Sequence, residues 1–162
     1  MNSYHNIVFD ASAFLAGLEN YYNRVYTTRL VISEVKDKKS KELLDLAINA
    51  QKVYIIEPSE ESYKKINEIK EKISAFKLSL TDISVAALAY EFRPSIVFTD
   101  DLMLQNLLLN LGIKYSSVKL RISIKNKKKY VYKCVACGRV FIKPYSYCPY
   151  CGNEITQETE KY

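Results

Sequence analysis

The chain has 162 residues, room for one ordinary domain or for one small domain plus a mini-domain, and its 48% apolar content argues against wholesale disorder. Its net charge of +6 hides a division: residues 1–101 hold 13 basic and 15 acidic side chains, whereas residues 102–153 hold ten basic side chains and no acid. No apolar run approaches the ~18 residues that span a bilayer, and the start of the chain lacks the basic and apolar regions of a secretory signal, so a cytoplasmic, reducing setting without a membrane partner is expected.

In chain order, Asn6-Ile7-Val8-Phe9 predicts a buried strand ending at Asp10, followed by a helix over 11–18. Leu30-Val31-Ile32 is rich in β-formers and predicts a strand, with Ser33 capping a helix that has Glu34 in its first turn. Residues 41–50 place Leu43, Leu44, Ala47 and Ile48 on one helical face. Val53-Tyr54-Ile55-Ile56 predicts a strand, and 59–74 a helix. Thr81 is the expected cap of an apolar helix over 82–92, which Pro94 stops. Ser95-Ile96-Val97-Phe98 predicts a strand ending at Thr99-Asp100-Asp101, and 102–111 a helix terminated by Gly112. Strands separated by helices define an α/β fold with a mainly parallel central sheet flanked by helices. After Gly112 the pattern changes: 118–124 alternates like a strand, and Asn126-Lys127-Lys128-Lys129 is expected to be a linker or exposed turn. The expected organisation is a domain over 1–120, a basic strand or linker over 121–129, a cysteine module over 130–155 and a tail over 156–162.

The cysteines follow the pattern Cys134-x2-Cys137-x10-Cys148-x2-Cys151, and glycine follows each pair, at Gly138 and Gly152. Two intervening residues let both sulfurs reach one ion, and the glycine lets backbone N–H groups turn toward the thiolates. Four thiolates in a tetrahedron suit a structural Zn2+. Two disulfides or an iron centre are the rival readings. A segment this short cannot bury enough surface to fold unaided, so the metal supplies folding energy. The paired turns resemble the knuckles of a zinc ribbon. Around them lie Lys125, Lys127, Lys128, Lys129, Lys133, Arg139 and Lys143, interleaved with aromatics that include Tyr132 and Tyr147. Basic groups neutralise phosphates and exposed aromatics stack on unpaired bases, so an anionic partner, nucleic acid above all, is expected. The rival reading assigns several of these aromatics to the ribbon's own core.

Acids stand at four places in the first 101 residues where chemistry would want them: Asp10, Glu34, Asp82 and the pair Asp100-Asp101. In an open α/β sheet the carboxyl ends of the strands form the ligand crevice. Carboxylates gathered there repel one another and call for a cation, and oxygen ligands suit Mg2+ or Mn2+. Taken singly, each acid reads equally as a helix cap or solvated turn.

Ile7-Val8-Phe9-Asp10-Ala11-Ser12, Ser33-Glu34-Val35, Leu80-Thr81-Asp82-Ile83-Ser84-Val85-Ala86-Ala87-Leu88-Ala89 and Val97-Phe98-Thr99-Asp100-Asp101 resemble, in order, the acidic motifs of PIN-domain ribonucleases. A PIN domain followed by a four-cysteine ribbon resembles the Nob endonuclease family of archaea and eukaryotes, and Asp100-Asp101-Leu102-Met103-Leu104-Gln105-Asn106 is similar to that family's acidic motif followed by Gln-Asn. The resemblance implies a metal-dependent endoribonuclease that matures the 3′ end of small-subunit ribosomal RNA within a pre-ribosomal particle. It makes Asp10, Glu34 and Asp82 metal-binding catalytic acids, with Asp100 or Asp101 as the fourth. Ser12 and Thr99 become hydroxyls that orient carboxylates, and Gln105 and Asn106 either touch RNA or lie on a solvated helix face. The alternative is a catalytically silent RNA-binding assembly factor. With one histidine and four glycines, no histidine-based nucleophile and no phosphate-binding glycine loop can be assembled, so no nucleotide cofactor is expected.

Overall fold

A computed structural model describes residues 5–119 and 124–161. Five strands form a wholly parallel sheet: β1 (Asn6–Phe9), β2 (Val25–Thr27), β3 (Val53–Ile55), β4 (Ser95–Phe98) and β5 (Lys114–Ser116), in the order β3-β2-β1-β4-β5. Among the described residues six α-helices connect or flank them: α1 (Ala11–Leu15), α2 (Arg29–Glu34), α3 (Lys38–Asn49), α4 (Glu60–Lys72), α5 (Leu80–Glu91) and α6 (Leu102–Leu111). The order reverses between β1 and β4, so the crevice of this sheet opens above their carboxyl ends.

Burial explains the central elements. Val8 and Phe9 are fully buried in β1, as is Val97 beside them in β4. Helix α5 is buried from Ile83 to Ala89 and packs against β1, β4, α2, α4 and α6. Its small residues Ser84, Ala86, Ala87 and Ala89 let the surrounding elements approach closely. No helix among the described residues is long and apolar enough to cross a membrane.

A second, antiparallel sheet is built from β6 (Lys128–Cys134), β7 (Val140–Phe141) and β8 (Ile155–Lys161), in the order β7-β6-β8. Its stem is attached to the first sheet's domain. The Tyr130 amide donates to the Ile73 carbonyl at 2.9 Å, and the Tyr132 hydroxyl donates to the Ser74 carbonyl at 3.0 Å. Tyr130 belongs to the main hydrophobic core.

Several local expectations shift. Leu30-Val31-Ile32 lies in helix α2, not in a strand, because Thr28 caps it through a side-chain bond from the Val31 amide. The strand lies earlier, where β-branched Val25 and Thr27 are buried. Helix α5 is capped by Ser79, not Thr81: the Ser79 hydroxyl accepts from the Asp82 amide and the Asp82 carboxylate accepts from the Ser79 amide, a reciprocal box. Lys128 and Lys129 belong to β6, where the ladder with β8 pairs them with Lys161 and Glu160. The segment 156–161 is likewise paired along β6. Of the strand expected over 118–124, residues 120–123 lie outside the described residues.

Gly112 ends α6 in the left-handed region, with φ of 70°. A Cβ there would meet nothing within 4 Å. Gly112→Ala should therefore destabilise through backbone conformation alone, by about 1 kcal/mol. A lower urea midpoint with an unchanged slope would show this.

Candidate active site and cysteine cluster

The crevice above β1 and β4 collects carboxylates from four elements. Asp10 follows β1 directly and caps α1, accepting from the Ala11 amide at 2.7 Å. It is the buried floor of the site. Thr99, at the end of β4, donates its hydroxyl to Asp10 Oδ2 at 2.8 Å. The same Thr99 oxygen accepts from the Asp101 amide at 3.0 Å, so one buried hydroxyl links two of the acids. Half-buried Asp82 enters from the first turn of α5, and exposed Glu34 from the last residue of α2.

The acids sense one another. Burial pushes the Asp10 carboxyl up to about 6, and the charges of Asp82 and Glu34 push it the same way, against the Thr99 and Ala11 bonds. Burial also raises Asp82, with Asp101 and Glu34 adding to the effect. Asp10, Glu34, Asp82 and Asp101 thus share one electrostatic environment.

The adjacent acids Asp100 and Asp101 divide. The Asp100 carboxylate accepts from the backbone amides of Val118 and Lys119, at 2.8 and 3.1 Å to Oδ1. The Asp101 carboxylate caps α6 through the Leu104 amide at 2.8 Å and acts on Asp82. Ser12 accepts from the Asp100 amide at 3.2 Å, so its hydroxyl orients the backbone of the β4–α6 turn.

A set of hydroxyls below Glu34 was not visible in the sequence. Thr81 donates to Glu34 Oε1 at 2.6 Å. Ser84 donates to the Thr81 carbonyl at 2.7 Å and lies 2.8 Å from the Thr28 hydroxyl. These contacts join both ends of α2 to the first turns of α5 and fix Glu34 beside Thr81, the neighbour of Asp82. The Ser79-x-x-Asp82 spacing is the signal that could have found them, because it assigns the cap to Ser79 and frees Thr81.

The ribbon residues also divide. Cys134 and Cys151 sulfurs are 3.4 Å apart, and Cys137 and Cys148 sulfurs 3.6 Å apart. All four sulfurs lie within 4.8 Å of one another, and no other group of three or more potential ligands among the described residues is so close. The edge of a ZnS4 tetrahedron with ~2.3 Å bonds is ~3.8 Å, so the cluster fits a tetrahedral metal centre. The Cys151 thiol is pulled down to about 6, chiefly by the Asn153 amide, and Cys137 is lowered chiefly by the Arg139 amide. Burial raises Cys148. Lys125, Lys127, Lys133, Arg139, Lys143 and Tyr147 are exposed, while Lys128 and Lys129 are half-buried. Tyr132 is a correction: it is 2% exposed with its hydroxyl spent on Ser74, so it anchors the ribbon and cannot stack on a base. Gln105 and Asn106 are also fully buried and neither face solvent nor reach RNA.

Comparison with known proteins agrees with the α/β fold. A family model described as the PIN domain of ribonuclease matches residues 7–92. Endoribonuclease Nob1 of Pyrococcus abyssi is 38% identical over 152 residues, covering 92% of this chain and 91% of that protein. Endoribonuclease Nob1 of Methanothermobacter thermautotrophicus is 34% identical over 160 residues, covering 95% and 93%. Ribonuclease VapC1 of Thermoplasma acidophilum is 32% identical over 134 residues, covering 81% and 66%. The chain is a PIN-domain ribonuclease in fold and family. Within that class, the chain belongs to the Nob1 endoribonuclease family.

Two outcomes test the site. Because the folded Asp10 carboxyl titrates near 6 instead of 3.8, the folded state binds a proton more tightly than the unfolded chain. Its stabilising effect is complete below ~4 and is lost as pH rises through ~6. Asp10→Asn should therefore raise metal-free stability at pH 8, by on the order of 1–2 kcal/mol, and the advantage should vanish by pH 4. Chemical unfolding at both pH values in EDTA measures it. For the cluster, a strong chelator should disorder the cysteine knuckles and leave the parallel sheet intact, as read by amide NMR and metal content.

Proposed function

We propose that the chain hydrolyses RNA phosphodiesters with a divalent cation held by Asp10, Glu34, Asp82 and Asp101. The observation that carries this reading is the gathering of these four acids at the strand-order switch, with Asp10 raised to about 6 by burial and by its acidic neighbours. Hard carboxylate oxygens that strain against one another without a counter-charge fit Mg2+ or Mn2+. Mg2+ keeps several waters and needs only one or two direct carboxylates, which suits acids spaced more widely than the cysteines. When bound, the ion supplies a nucleophile at neutral pH and electrostatic stabilisation of the phosphoryl group. The chain's own part is to orient the carboxylates. Thr99 fixes Asp10, Thr81 fixes Glu34, and the Ser79 box fixes Asp82. Asp100 serves the fold of the turn after β5.

The four cysteines hold zinc in this reading, and Lys125, Lys127, Lys128, Lys129, Lys133, Arg139, Lys143 and Tyr147 attract the RNA. The acids repel the phosphate backbone, and the basic module supplies the compensating attraction. Membership of the Nob1 family supports small-subunit pre-ribosomal RNA as the substrate and its 3′ end as the cleavage site. Incubation with RNA spanning that end, with and without Mn2+, followed by mapping of new ends, tests both. Asp10→Asn with Asp82→Asn should cut at least ~100-fold more slowly while RNA affinity is retained. Undiminished cleavage by the double variant would overturn the assignment.

A further inference from the structure

The adjacent residues Gln105 and Asn106 hold the two ends of one short basic loop. Gln105 Oε1 accepts from the Ile124 amide at 3.0 Å. Asn106 Oδ1 accepts from the Lys128 amide at 2.8 Å, and its Nδ2 donates to the Lys128 carbonyl at 2.9 Å. Between these points lie exposed Lys125, Asn126 and Lys127. Both clamps sit on the first two turns of α6, the helix that Asp101 caps. Gln105 also donates to the Thr99 carbonyl at 3.0 Å, and the Thr99 side chain holds Asp10. Burial raises the Tyr130 hydroxyl, which bonds Asn106 and senses the Asp101 charge. Thr99 thus bonds Asp10 and Asp101, Gln105 bonds Thr99 and the start of the basic loop, and Asn106 bonds the stem at Lys128.

Asn106 pairs with Lys128 as one strand residue pairs with another, using a donor and an acceptor at once. Buried amides with both groups matched to a backbone resist displacement, because losing the pair leaves polar atoms unsatisfied. Solvating RNA contacts would be a poor use of such residues. Holding a chain segment in place is a good one.

We propose that Gln105 and Asn106 are positioning residues that fix the basic loop at 125–127 and the ribbon stem at a set span from the carboxylates. RNA held by the loop and ribbon then presents one phosphodiester to the acids, and the choice of bond is read out as a distance. The idea rests on the nuclease reading above. It adds that site choice resides partly in two buried amides that touch neither RNA nor metal.

The test compares wild type, Asn106→Ala, Asn106→Asp and Tyr132→Phe, each metal-loaded and full length. Asn106→Asp keeps the acceptor and loses the donor, and Tyr132→Phe loses only the anchor to Ser74. Two readouts are taken: end mapping on a long RNA carrying the wild-type cleavage site, and 15N relaxation of the ribbon and parallel-sheet amides. The expected result for Asn106→Ala is loss of a single dominant cut in favour of several neighbouring bonds, with cleavage of a short unstructured RNA maintained. Its ribbon should tumble apart from the nuclease domain, and the two milder variants should fall between. A single unchanged cut in Asn106→Ala, with common tumbling, would overturn the proposal. If Asn106→Ala does not fold, unchanged cutting and tumbling in both milder variants would overturn it equally. Should wild type cut no RNA, the nuclease reading fails, and relaxation alone then decides whether the amides hold the ribbon.

Discussion

Carboxylates gathered at the end of a parallel sheet oppose one another, and the hydrogen bonds around Asp10 and Asp82 answer that repulsion. Asp10 is drawn into the core by β1, the most central strand, where water cannot screen it. A neutral hydroxyl from β4 and a backbone amide from α1 take up its two oxygens. Asp82 is spent partly on a cap, and Asp101 on another. Asp10, Asp82 and Asp101 are thus each anchored by a donor at a helix start, so three helices begin where these acids stand, while Glu34 is held by Thr81. The fold and the site are one set of hydrogen bonds.

That economy explains which features could be read in the sequence. Asp10 and the Asp100-Asp101 pair follow apolar strands and Asp82 opens an apolar helix, and those placements marked them. The four-cysteine spacing marked the metal cluster, since little else requires it. Position 34 was marked among the acids but its setting was not: Glu34 ends a helix where a strand and cap were expected, because Thr28 overrides the β-rich composition of residues 30–32. The Asp100-Asp101 pair could not be resolved in sequence, because the choice depends on amides of residues 118 and 119, distant along the chain. Tyr132 misled for a similar reason. Its neighbours are basic and exposed, yet strand alternation turns residues 130, 132 and 134 inward.

The charge division in the sequence becomes a spatial arrangement in the fold. The acidic crevice and the basic ribbon meet along α6 and β6, where neutral amides and buried tyrosines form the boundary. Neutral groups suit that place, since a charge there would favour one side over the other. The acids of β8 lie across the ladder from the stem, with Glu160 opposite Lys129 and Glu158 opposite Val131. The ribbon's positive character is therefore concentrated toward its exposed loops.

The pairing of β6 with β8 also sets an order of events during synthesis. Every strand of the parallel sheet and every acid of the crevice precedes residue 117, so that domain can close while the later residues are still being added. Strand β6 reaches its full partnership only when residues 155–161 have emerged. A newly made chain thus completes its acidic crevice before its antiparallel sheet, so the two sheets mature at different moments of synthesis.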